Sequence, residues 1–134
     1  MPERVVVNVD GGARSNPGPA AVGIVVATPG GDVLEEVGET IGTATNNVAE
    51  YRALLRGIAL AKQHGAKAAD FIGDSELVVK QVRGEYKVKD AALRELFIEV
   101  QRELAGLQEW SISHVRREHN AAADALVNRA LDAA

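Results

Sequence analysis

The chain has 134 residues, 46% hydrophobic and 25% charged, with a net charge of −4 and no cysteine. This is the size and balance of one ordinary globular domain with a full core, and no apolar run of about 18 residues suggests a membrane span. The missing cysteines rule out disulfides and thiolate metal sites, so any metal must sit on oxygen or imidazole ligands.

The start, MPERVVV, lacks the long apolar stretch of a secretion signal, so a cytoplasmic protein is expected. Residues 4–10 alternate valine with other residues and read as a strand buried on both faces. Gly11 and Gly12 permit close backbone approach, and 13–19 read as a polar turn. A second strand is expected over 20–28, a hairpin turn at PGGD (29–32), and a third strand over 33–42. At 45–65 the period becomes helical through Tyr51, Leu54, Leu55, Ile58 and Ala61, with Gly65 as the stop. A short strand (68–74) and a short helix (75–82) follow, then the basic loop RGEYKVKD (83–90). A helix over 91–104, a strand over 110–115 and a final helix capped by Asn120 and running to Leu131 complete the order β-β-β-α-β-α-α-β-α. That order predicts an α/β fold: an antiparallel meander extended into a mixed sheet, with helices packed on it, in one domain over 1–134.

Four acids stand at strand ends or helix starts. Asp10 lies among valines, where an unpaired charge costs several kcal/mol unless a cation or a turn meets it. Glu50 fits a capping box begun by Asn47, Asp74 with Ser75 is able to cap the next helix, and Asp124 sits where a helix dipole favours any acid. Each has a structural explanation when taken singly. Taken together, four acids converging on one sheet edge would need divalent cations, and oxygen-only ligands suit Mg²⁺ or Mn²⁺. Two such ions, about 4 Å apart, activate a water and stabilise a leaving oxygen in phosphodiester hydrolysis. Net acidity argues against nucleic-acid binding in bulk, yet Lys80, Arg83, Lys87 and Lys89 cluster, as do His114, Arg116, Arg117 and His119.

The stretches DGGARSNPGPAAVG (10–23), TNNVAEYRALLRGIALA (45–61), GDSELVVKQVRGEYKVK (73–89) and REHNAAADALVNRA (117–130) together resemble type 1 ribonuclease H. The resemblance runs from Val5 to Leu131 and implies an RNase H-like five-stranded mixed sheet of order 3-2-1-4-5 flanked by helices. It implies a metal-dependent endonuclease that cuts the RNA strand of RNA–DNA hybrids, leaving 5′-phosphate and 3′-hydroxyl ends, with two Mg²⁺ ions, Mn²⁺ being a substitute. Asp10 matches the acid shared between the ions, Glu50 and Asp74 those near the attacking water, and Asp124 the one on the leaving-group side. The loop from Gly11 to Asn16, with Gly12 in it, resembles the family's hybrid-contacting loop, Asn16 matching a contact to the minor groove. Thr45 matches a DNA-phosphate contact, and Asn46 and Asn47 match contacts to base edges and sugars. Glu76 stands where many members have glutamine, which leaves it only an acceptor role toward a 2′-hydroxyl.

Two departures from the family pattern stand out. The Lys/Arg-rich handle with tryptophans is missing, and only the loop Arg83–Lys89 remains, with Lys87 and Lys89 as its phosphate contacts, set against a plain solvated loop. This places the chain with the short, handle-less members and predicts weaker, more salt-sensitive binding. The loop before the last acid is also short. It offers His119 as a proton carrier or Arg117 as a phosphate guide, each set against a plain surface role. His64 and His114 receive no role. The expected partner is an RNA–DNA hybrid bound by a monomer, with no membrane and no obligate protein partner. A non-catalytic hybrid-binding module and a DNA-cutting nuclease on the same fold remain the alternatives. The first would lack an acid, and the second does not explain TNN and SNPGP.

Overall fold

The computed structural model describes residues 3–134. It comprises strands β1 (Arg4–Ala13), β2 (Gly18–Ala27) and β3 (Val33–Ala44), helix α1 (Asn46–Gln63) and strand β4 (Ala68–Gly73). Helices α2 (Glu76–Val82) and α3 (Ala91–Leu104), strand β5 (Glu109–His114), a single 3₁₀ turn (Arg117–His119) and helix α4 (Ala121–Ala133) follow. The sheet order is β3-β2-β1-β4-β5, as the resemblance implied. β1, β2 and β3 pair antiparallel, while β4 joins β1 and β5 joins β4 in parallel. No helix intervenes between α2 and α3 among the described residues, so the chain is handle-less as expected.

One face of β1 (Val5, Val7, Val9) packs with Ile24, Phe71 and the α1 side chains Tyr51, Leu54 and Ile58, all buried. Gly57 lets α1 settle on the sheet, since a Cβ there would lie 2.8 Å from a Val9 methyl. The opposite face is less covered than a two-sided burial of β1 would require. Here α4 lies over the β1–β2–β3 half, and Val6 and Asn8 are only half-buried. Beyond α4 the sheet face carries polar groups. Arg4 grips Asp70 (2.9 Å) and Glu109 (2.8 Å), and Ser111 donates to Asp70 (2.7 Å). Those hydrogen bonds from Arg4 hold the Asp70 carboxyl below its usual range.

The cap of helix α1 lies two residues before the expected one. Thr45 is the N-cap, its Oγ1 accepting from the Val48 amide at 3.2 Å, so Glu50 is not part of a capping box with Asn47. Gly65, with φ of 77°, takes the left-handed turn that ends the helix. The basic loop is anchored from within. Tyr51 donates to Gln81 (2.6 Å), whose amide donates to the Lys87 carbonyl (3.4 Å). Burial pushes the Tyr51 phenol up to about 12, so it stays protonated as a donor.

Candidate active site

β1 carries Asp10 beyond its valines and continues to Ala13, three residues further than the sequence pattern suggested. Asp10 is 6% exposed and pairs in register with Gly23 of β2. Glu50 arrives from α1, on the other side of the sheet, and its Oε1 accepts from the Gly11 amide at 2.9 Å. Only a glycine permits that approach, because a Cβ on Gly11 would lie 2.6 Å from the Glu50 nitrogen and closer still to the Ala49 carbonyl. Asp74 follows directly on β4, whose parallel pairing with β1 brings it to the same edge. Ser75 caps α2 by accepting from the Val78 amide (3.3 Å), which leaves the Asp74 carboxylate for the site.

The result is a compact group: one oxygen from each of Asp10, Glu50 and Asp74 lies within 4.8 Å of the others. Asp124, in the first turn of α4, falls outside this group and accepts from Asn128 at 3.3 Å. It nevertheless lines the same open cavity of about 480 Å³. Thus three of the four expected acids converge and the fourth stands on the rim. Burial pushes the Asp10 carboxyl well above the carboxylate range, and the charges of Glu50, Asp74 and Asp124 add to it. Burial raises Glu50 as well, against the Gly11 amide, which holds it down. Without a cation this pair tends to keep a proton. A donor set of crowded carboxylate oxygens, with no imidazole or sulfur, fits hard divalent ions such as Mg²⁺.

Asn120 does not cap α4 with its side chain. It is buried, donates to the Val9 carbonyl at 2.9 Å, and accepts from Asn8 at 3.0 Å. This ties the start of α4, and hence Asp124, to the strand that bears Asp10. The amide of Asp124 also donates to the Asn120 carbonyl (3.1 Å). Asn120→Ala strands the buried Val9 carbonyl and the half-buried Asn8 amide and should cost about 1–3 kcal/mol. Thermal melting checks this, and a rise in the Mg²⁺ concentration needed for half-maximal stabilisation would report the loosened Asp124.

The other expected residues fall into three places. Gly11, Gly12, Asn46 and Asn47 line the cavity of the acids, as does Arg117. Asn16 accepts from the Asn46 amide (2.9 Å) and Asn46 accepts from the Ala13 amide (2.9 Å), so loop and helix start clasp each other beside half-buried Thr45. Lys87 and Lys89 line a second cavity of about 610 Å³ with Tyr86 and Arg94 and no acid. Glu76 is exposed and pairs with Lys80 (3.3 Å), and His119 is exposed in the 3₁₀ turn; neither lines the acidic cavity. Arg14, which belongs to the expected hybrid-contacting loop but was not singled out within it, also lines the cavity. Nothing in the local sequence singles Arg14 out, because its partners lie in α4.

A family profile described as "Reverse transcriptase-like" matches residues 8–130. The chain is 46% identical over 129 residues to the ribonuclease HI of Halobacterium salinarum, covering 96% of this chain and 65% of that protein. The crystal structure of RNase H1 from that archaeon superposes with a TM-score of 0.96, covering 98% of this chain and 99% of that one. A bifunctional protein of Mycobacterium tuberculosis is 45% identical over 132 residues, 98% of this chain and 36% of its own length. The chain therefore spans under two thirds of the curated relatives' length. LC11-RNase H1, a metagenomic enzyme from compost crystallised with an RNA/DNA hybrid, has a TM-score of 0.92 at 40% identity, covering 96% of this chain and 97% of that one.

Proposed function

The chain belongs to the type 1 ribonuclease H family, and we propose that it is an endonuclease that hydrolyses the RNA strand of RNA–DNA hybrids with divalent metal, leaving 5′-phosphate and 3′-hydroxyl ends. The observation that carries this reading is the clustering of Asp10, Glu50 and Asp74 oxygens within 4.8 Å in an open, asparagine-rimmed cavity. Asp10, Glu50 and Asp74 would hold the metal, with Asp124 completing the set from α4. Two bound Mg²⁺ ions would supply an activated water and charge stabilisation at the leaving oxygen.

The chain's own residues do the rest. The Gly11 amide fixes the Glu50 carboxylate in one orientation, from which it would hold a metal. Gly11, Gly12, Asn16, Asn46 and Asn47 present backbone and amide groups to a wide, shallow minor groove, where only RNA offers 2′-hydroxyls. Thr45 stands beside them for the DNA strand. The charge of Arg117 partly offsets the burial that raises the Glu50 carboxyl, and the same charge guides a phosphate toward the acids. Glu76 and His119, both outside the cavity, join only where bound nucleic acid reaches beyond it. In this reading residues 1–134 act as one domain and as a monomer.

Lys87 and Lys89 hold the backbone of the hybrid away from the cut. Replacing both with alanine should raise KM by roughly 3–10-fold, leave kcat nearly unchanged, and lower the slope of log KM against log salt by up to about 2. Steady-state kinetics at several salt concentrations check this; an unchanged KM would make the segment a plain solvated loop.

The deciding experiment uses a labelled RNA strand paired with DNA or with RNA, with Mg²⁺ or chelator, for the wild type and Asp74→Asn. Metal-dependent cutting of the hybrid, lost in the variant, is expected. A folded protein that binds the hybrid without cutting in Mg²⁺ or Mn²⁺ would instead be a binding module.

A further inference from the structure

The acidic cavity repels the very backbone it must accept, so cations beside it decide how a strand is held. Only two line it among the described residues, Arg117 in the 3₁₀ turn and Arg14 just past the end of β1. They bracket α4. Arg117 precedes its first turn, whereas Arg14 reaches its last turns, donating to the Asn128 carbonyl (3.4 Å) and to the Asp132 carboxylate. With 13 residues, α4 is about 20 Å long, so the two guanidiniums lie toward opposite ends of the cleft.

Asp132 is oddly placed for a structural partner. It sits in the last turn of α4, where the helix dipole disfavours a negative charge, and no basic residue shares that turn. Its ion pair with Arg14 is exposed on both sides, at 47% and 67%, and exposed pairs of this kind contribute little to stability. A planar guanidinium that already holds a carboxylate at the mouth of a cleft has the geometry to take a phosphodiester through two parallel hydrogen bonds.

We infer that Arg14 is a phosphate receptor for the nucleic-acid strand that runs past the acids, and that Asp132 is a stand-in anion which the phosphate displaces. This rests on the hybrid-cleaving reading. It adds a binding residue and a competitor to it. Because Asp132 competes with substrate, its removal should improve binding, the opposite of what losing a structural ion pair does.

The test measures binding of a labelled RNA–DNA hybrid by fluorescence anisotropy, in Mg²⁺ and on an Asp10→Asn background to stop turnover. Arg14→Ala should weaken binding about tenfold and lower the salt slope by about 1, and Arg14→Lys should restore part of that slope. Asp132→Asn should tighten binding roughly two- to threefold without lowering Tm. The double variant should match Arg14→Ala alone, since with no guanidinium there is nothing left to compete for. Unchanged affinity and slope in Arg14→Ala overturns the inference. So does tightening by Asp132→Asn that persists when Arg14 is also removed, which would be a general charge effect. If Arg14→Ala fails to fold, Arg14→Lys and Asp132→Asn carry the same test. A background protein that binds no hybrid would fell the hybrid-cleaving reading and this one with it, whereas hybrid binding indifferent to Arg14 would fell this one alone.

Discussion

Asp10→Asn will lower kcat by on the order of 10³-fold or more and, at the same time, raise the melting temperature of the metal-free protein. The two effects have one cause. Asp10 is a buried carboxylate within reach of Glu50 and Asp74 oxygens, and its ionisation is opposed first by burial and then by those neighbours. An amide of the same shape removes the repulsion and with it the carboxylate through which we propose the metal is held. A gain of about 1–2 kcal/mol would show as roughly 3–6 °C in Tm.

The pH dependence has a definite sign. In the folded, metal-free state Asp10 and Glu50 hold protons above the ordinary carboxylate range, while in the unfolded chain they ionise near about 4. The folded state therefore binds more protons, and stability falls as pH rises from about 4 until the raised folded values are passed. Asp70 works the other way. Its carboxyl is held low by Arg4, so its contribution is present above the usual aspartate pKa and is lost only below it. In chelator, Tm of the wild type should decline from pH 5 to pH 8. Asp10→Asn should flatten the decline, and Mg²⁺ at pH 8 should restore Tm. An Asp10→Asn protein that melts lower than wild type and still cuts would remove the basis for the cluster.

Gly11→Ala should be the most damaging change outside the acids. The added methyl would sit 2.6 Å from the Glu50 nitrogen and closer to the Ala49 carbonyl, both backbone groups that no rotamer change can move aside. Overpacking of this kind costs about 3 kcal/mol, and relief requires the start of α1 to lift from β1. That movement would break the hydrogen bond from the Gly11 amide to Glu50 and carry the carboxylate out of the group. A fall in kcat of about 10²-fold or more is expected, from a loss of placement rather than of chemistry. Gly30→Ala, in the β2–β3 turn away from the cavity, is the control, because its nearest neighbour would be the Thr28 hydroxyl oxygen at an ordinary 3.8 Å. If both variants cut alike, close approach at Gly11 is not what places Glu50.

Periodicity and turn residues were enough to read the succession of strands and helices, and the quoted motifs were enough for the sheet order. What local sequence left undecided was the choice among equivalent local options. Thr45, Asn46 and Asn47 are three consecutive capping residues, and only Asn46's partner, the Ala13 amide from another strand, leaves Thr45 as the cap. Asn120 occupies a cap position, but its side chain is drawn away by the Val9 carbonyl, 111 residues distant in sequence. Arg14 meets Asp132 across 118 residues, beyond the reach of any local pattern. Among the acids, Asp74 was ambiguous until Ser75 took over the cap of α2. Asp124 was expected inside the cluster with the other three, and instead it stands apart from their group while lining the same cavity. Its place on the rim follows from how α4 lies on β1 and β2.

Around Asp10 the sheet is reduced to bare backbone on both sides. Gly11 admits α1 from one face, and Gly23, in register with Asp10, admits the Ala123 carbonyl of α4 from the other. Helices from opposite layers therefore reach the same stretch of β1, α1 bringing Glu50 to Asp10 and α4 setting Asp124 on the wall of the same cavity. The arrangement acts as a caliper: the jaws are the two helices, and the opening is the distance between layers. Any change that swells the core sets the jaws wider, even one far from the acids such as a methyl at Gly57 against Val9. Divalent-ion affinity then becomes a measure of how tightly the whole molecule is packed, and variants chosen only for stability can be ranked by titrating the metal.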